Sequence, residues 1–73
     1  MHFELWGVHS GNLIAKSATD VEAYRIVREL LAAGWDPENL LLAAELDPGD
    51  SEDRPLPPVL EGAVLKERAR EYA

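Results

Sequence analysis

The side chains able to carry catalysis are few: Ser10, Ser17 and Ser51, the histidines His2 and His9, and a scatter of carboxylates. A serine nucleophile needs a base within reach and donors for the developing oxyanion. His9 and Ser10 are merely neighbours in a short polar stretch, with no Gly-x-Ser-x-Gly elbow around any serine. His9 reads as a solvated turn residue and His2 as an exposed residue on an edge strand. A cation could in principle use His2 with Glu4, or Asp47, Asp50, Glu52 and Asp53. A calcium loop wants glycine at its sixth position and glutamate at its twelfth, whereas a loop begun at Asp47 has Gly49 third and Pro58 twelfth. Neither glycine-rich phosphate cradle occurs. The expectation is a protein without catalytic residues, metal or cofactor.

The aromatic residues offer a different chemistry, that of contact. Trp6, Trp35, Tyr24 and Tyr72 are not interleaved with basic residues, so they do not form stacking platforms for nucleic acid. Trp6 shares one side of an alternating segment with His2, Glu4 and Val8, opposite Phe3, Leu5 and Gly7. If helices cover the Phe3 side, Trp6 stands on the open face of a sheet, where a large aromatic marks a contact surface. Trp6, Val8 and Glu4 are therefore the candidate interaction residues.

The elements that would position them follow from periodicity. Residues 3–8 alternate as a half-buried strand does, His9-Ser10-Gly11-Asn12 make a short polar turn, and Leu13–Ser17 form a second extended run, together a β-hairpin. Trp6 then faces Leu13 or Ala15 across the pair. Thr19-Asp20-Val21-Glu22 is a capping box, and it opens a helix over 20–33 whose apolar stripe is Ala23, Val27, Leu30 and Leu31, widened by Tyr24 and Ile26. Gly34 sits at the left-handed cap position, with Trp35 placed to fold back on the last turn. Over 36–46 two signals compete. Asp36-Pro37-Glu38 is a good helix start, but Leu40, Leu42, Ala44 and Leu46 share a side at period two in a run of only seven apolar-rich residues, which favours a strand. Residues 47–58, with Pro48, Pro55, Pro57, Pro58 and four carboxylates, read as an exposed acidic connection open to partial disorder, Leu56–Leu60 as a short edge strand, and the segment from Gly62 as a closing amphipathic helix carrying Leu65, Ala69 and Tyr72 on one stripe. The predicted architecture is one α+β domain spanning 1–73, β-β-α-β-(β)-α, a small antiparallel sheet of three or four strands with both helices on one face.

Composition narrows the function. With 7 basic and 14 acidic residues the net charge is −7, and all of it lies between Asp20 and Arg54. That sign disfavours nucleic acid and anionic membranes and leaves the hairpin neutral. The chain has no cysteine, which excludes a disulfide framework and suits a reducing cytoplasm. It has neither an 18-residue apolar run nor the basic start of a signal peptide. At 73 residues the core must be thin, with Phe3, Leu5, Val27, Leu30, Leu31, Leu40, Leu42 and Leu65 as its expected members.

Ser17-Ala18-Thr19-Asp20-Val21-Glu22-Ala23, a capping-box helix after a hairpin, is similar to the Thr-x-x-Glu-Ala helix start of HicB-type antitoxins, small acidic partners of RNA-cleaving toxins. The likeness covers about fifteen residues, and the family's Gly-Tyr and Pro-Gly-Cys signatures are missing. Over most of the chain, Leu5-Trp6, Ser10–Ile14, the capped helix and Gly34-Trp35 together look like small bacterial α+β proteins of unassigned function. The expected function is a non-catalytic interaction or regulatory module that binds itself or another protein. The alternative is an acidic, antitoxin-like inhibitor of a basic partner protein.

Overall fold

The computed structural model describes residues 1–50 and 55–72. The chain runs through strand β1 (His2–Gly7), strand β2 (Asn12–Ser17), helix α1 (Asp20–Ala32), a single 3-10 turn (Pro37–Asn39), strand β3 (Leu40–Glu45), strand β4 (Leu60–Glu61) and helix α2 (Gly62–Glu71). The strands make one four-stranded sheet ordered β2-β1-β3-β4, with every neighbouring pair antiparallel. The α+β architecture expected from the pattern is the one observed.

Phe3 and Leu5 on β1 and Leu40, Leu42 and Ala44 on β3 point to the same side of the sheet. There they join Ala23, Tyr24 and Val27 of α1 and Leu65 and Ala69 of α2 in one buried cluster. Both helices therefore cover one face. Leu5, Leu40, Leu65 and Val27 are the largest side chains wholly removed from water, each worth about 1.5–3 kcal/mol of transfer free energy. Leu30 and Leu31, expected in the core, only border it, and Tyr24, Ala44 and Ala69 take the central places. The Tyr24 ring lies against that of Tyr72, centroids 4.9 Å apart, and the Arg28 guanidinium donates to the Ala69 carbonyl oxygen at 2.8 Å. These two contacts tie α1 to the end of α2.

Helix α1 begins as its sequence dictates. The Thr19 hydroxyl accepts from the Glu22 N–H at 3.2 Å, one arm of the capping box. It ends in a Schellman motif, with Trp35 N–H to Leu30 O and Gly34 N–H to Leu31 O both at 3.1 Å, and with Gly34 at φ 99°, a region closed to most side chains. The Trp35 backbone folds back as expected, but its side chain stays exposed.

Over 36–46 both competing signals operate in turn. Asp36 caps the 3-10 turn by accepting from the Glu38 N–H at 3.0 Å, and one turn later the chain enters β3 at Leu40. The helix start is thus real but lasts three residues, because Leu40 and Leu42 gain more by burial in the sheet. The predicted strand over Leu56–Leu60 contracts to Leu60–Glu61, since Pro57 and Pro58 cannot donate to a ladder. Of the acidic connection, residues 51–54 lie outside the described residues, and the expectation of disorder there is not addressed. Pro55–Pro58 are exposed.

His2 corrects an expectation. It was placed on an edge strand, yet β1 lies inside the sheet between β2 and β3, with His2 opposite Glu45. The reason is the crossover through α1, which returns the chain to the far side of β1 rather than to β2. Among the described residues no helix is long and apolar enough to cross a membrane.

Candidate functional site: the open face of the sheet

Alternation on β1 sends His2, Glu4 and Trp6 to the face that the helices leave uncovered. Directly across from Trp6 are Leu13 on β2 and Leu41 on β3, and across from Glu4 are Lys16 and Ala43. The face is apolar at the Trp6 end and charged at the Glu4 end. Trp6 is half-buried, flanked on both sides by leucines, while Leu13 remains 39% exposed. A register shift between Leu5 and Trp6 explains the arrangement. Leu5 pairs with Ala15 and Trp6 with Leu13, so Ile14 is the extra residue of a β-bulge. Both Ile14 and Ala15 then pack toward the core, and Leu13 is turned to the open side beside Trp6.

Val8 lies just beyond the end of β1, 45% exposed, its N–H donating to the Asn39 carbonyl oxygen at 2.8 Å. Trp6 and Glu4 therefore share the open face, whereas Val8 stands past its edge. Leu41 and Ala43 are the members that sequence reasoning missed. Their signal was present: the Leu40-Leu41-Leu42-Ala43-Ala44 run is apolar on both sides, unlike a strand with one side in water.

The charged end has its own geometry. His2 places Nδ1 2.6 Å from Asp47 Oδ1 and Nε2 3.2 Å from Glu4 Oε2, and Lys16 Nζ lies 3.9 Å from the same Glu4 oxygen. Asp47 also lies 2.9 Å from the Met1 amine, which contacts Asp50 as well. Asp47, and then Glu4, hold the His2 imidazole above its ordinary value of 6.5. The Met1 amine, and then His2, hold the Asp47 carboxyl below its ordinary 3.8. This cluster brings together His2, Glu4 and Asp47, the residues singled out as possible cation ligands, but as hydrogen-bond partners of one another. Among the described residues no three histidine, aspartate or glutamate side chains are grouped to hold a metal ion.

The Ser10 hydroxyl accepts from the Asn12 N–H at 3.3 Å, and the His9 backbone N–H donates to Asn39 Oδ1 at 2.7 Å, bonds that shape the turn, while no hydrogen bond joins the Ser10 hydroxyl to the His9 ring. On the helix side, a cleft of about 90 Å³ lies between Phe3, Tyr24, Leu42, Pro57 and Arg68. That is well below the several hundred Å³ usual for a small-molecule site.

Compared with protein-family models, with curated proteins and with solved structures, the chain matches none. Residues and geometry alone carry its functional reading.

Proposed function

We propose that this protein is a non-catalytic interaction module whose open sheet face, centred on Trp6, binds a second copy of the chain. The observation that carries this reading is the row Leu13-Trp6-Leu41, an apolar stripe across three strands on the face opposite both helices. A two-layer fold with a thin core leaves such a face to be covered by association. A second copy fits because the stripe Leu13-Trp6-Leu41 is uncharged and can pack on its own like, although the face around it has more acids than bases. The face carries Lys16 as well as Glu4, Glu45 and Glu61, so two copies related by a two-fold axis can set each lysine near an acid of its partner.

Area sets the strength. Three six-residue strands span roughly 14 Å by 20 Å, on the order of 300 Å² per copy. Two such faces fall short of the ~1,200 Å² at the low end of stable interfaces, which makes the dimer a weak, concentration-dependent one. Sedimentation across the micromolar to millimolar range tests it. The expected result is a mass rising from monomer to dimer with concentration, and a rise that is lost in Trp6→Ser and in Leu13→Lys. Leu13 is already exposed, so its substitution spares the fold. A monomer throughout overturns the reading.

A second reading, an antitoxin-like inhibitor of a basic protein, draws support from how the arginines of α1 are used. Arg25 pairs with Glu29 at 2.8 Å and Arg28 donates to the Ala69 carbonyl oxygen, and these two arginines stand against five acids, Asp20, Glu22, Glu29, Asp36 and Glu38. Salt-sensitive co-purification with a small basic protein encoded beside the gene would favour it.

A further inference from the structure

The two contacts of His2 impose a condition on its protonation. Asp47 Oδ1 and Glu4 Oε2 are carboxylate oxygens that only accept, and they stand at 2.6 Å and 3.2 Å from the two ring nitrogens. A neutral imidazole has one N–H and one lone pair, so it can satisfy one carboxylate while turning a lone pair toward the other. Only the imidazolium donates to both. The ring is not freely solvated: its side chain is 24% exposed, and that of Glu4 is 16% exposed.

We propose that His2 is a proton-operated clasp that fastens the turn after β3 to the open face of the sheet. Charged, it joins Asp47 of that turn to Glu4 of β1. Neutral, it keeps the shorter bond to Asp47, whose carboxylate is also held by the Met1 amine, and releases Glu4. Glu4 is then left with Lys16 at 3.9 Å, and the face beside Trp6 becomes more negative by one charge.

Among the described residues, charged groups come to the ring from each element around it. β1 contributes Glu4 and the neighbouring Met1 amine, β2 contributes Lys16, β3 contributes Glu45 directly opposite His2, and the turn contributes Asp47 and Asp50. Lys16 and the amine oppose the imidazolium charge. The four carboxylates favour it, and the two in direct contact are among them. The turn itself is preshaped, because the Asp47 N–H donates to Asp50 Oδ2 at 2.8 Å. It can therefore stay formed when one side of the clasp opens.

A proton titration followed by NMR tests the device on the intact chain. The expected result is a His2 midpoint above 6.5, with the side-chain carboxyl carbon of Glu4 moving through the same midpoint. Glu4→Gln lowers the His2 midpoint, and Asp47→Asn lowers it further because the shorter bond is lost. In His2→Gln the response of Glu4 in this pH range disappears. A His2 midpoint at or below 6.5 overturns the clasp, and so does a Glu4 carboxyl that ignores it or one that responds unchanged in His2→Gln.

Discussion

Gly62 opens α2 at φ +57°, and an added Cβ there would stand 2.8 and 2.9 Å from the two carboxylate oxygens of Glu38. Alanine at this position is expected to destabilise the protein by two separable routes. A left-handed conformation costs an L-residue roughly 1–2 kcal/mol. The contact with Glu38 is relieved cheaply, because the atoms met are the end of a flexible side chain, but the relief moves a negative charge away from the first turn of α2, where it is worth about 0.3–1 kcal/mol. The sum is about 1.3–3 kcal/mol, or a Tm lower by roughly 5–24 °C at ~4–8 °C per kcal/mol for a domain of this size. Urea unfolding of Gly62→Ala, Glu38→Ala and the double variant measures both parts. The double-mutant cycle should leave about 1–2 kcal/mol for Gly62→Ala when Glu38 is already absent. A neutral result, or a gain of ~0.4–1 kcal/mol as at positions where alanine fits, refutes the backbone argument. Equal losses in both backgrounds refute the role given to Glu38.

Leu65→Ala, at a residue 1% exposed between α2 and the sheet, should cost about 2–5 kcal/mol in denaturant unfolding. Thr19→Ala removes the acceptor for the Glu22 N–H and should cost about 1 kcal/mol, with Thr19→Asn or Thr19→Asp restoring most of it. Arg25→Ala breaks an exposed pair within one helix and should change stability by no more than ~0.5 kcal/mol, a control for the other variants. The pH dependence of stability has two limbs. His2 is raised in the folded state, so its contribution is complete below 6.5 and is lost as the pH climbs through its folded value. Asp47 and Asp50 are lowered, so theirs is present above 3.8 and is lost as the pH falls through their folded values. Chemical denaturation between pH 3 and pH 9 should therefore show a maximum between these limits; His2→Gln should flatten the alkaline limb up to the range where the raised Met1 amine titrates, and should shrink the acid limb in part, because His2 helps to hold Asp47 down.

Much of this fold was legible because local signals and burial agreed. Thr19 and Gly34 mark the ends of α1 through bonds that a capping hydroxyl and a left-handed residue make wherever they occur. Asp36-Pro37-Glu38 was ambiguous for a physical reason: a helix start is a local property, but how far the helix runs depends on what lies beyond it, and here Leu40 finds a place in the sheet. Trp6 was legible as a face residue from alternation, and its partner Leu13 was one of two choices that only the bulge at Ile14 decides. Leu41 was hidden in a run of leucines whose two sides look alike. The bond of His2 to Asp47 was out of reach, since it depends on β1 lying between β2 and β3, a matter of long-range topology that no short spacing encodes.

That central position of β1 also bears on how the chain reaches its native state. Its pairing with β2 closes a short loop and can form within microseconds, but a lone two-stranded hairpin is marginal in water. Its pairing with β3 requires the ends to meet across the whole of β2 and α1. The sheet thus becomes stable only once the α1 crossover has docked, and the rate-limiting step of folding should be that long-range closure. Substitutions at Leu5 and Leu42, which meet there, are expected to slow folding, whereas those in the hairpin turn chiefly hasten unfolding.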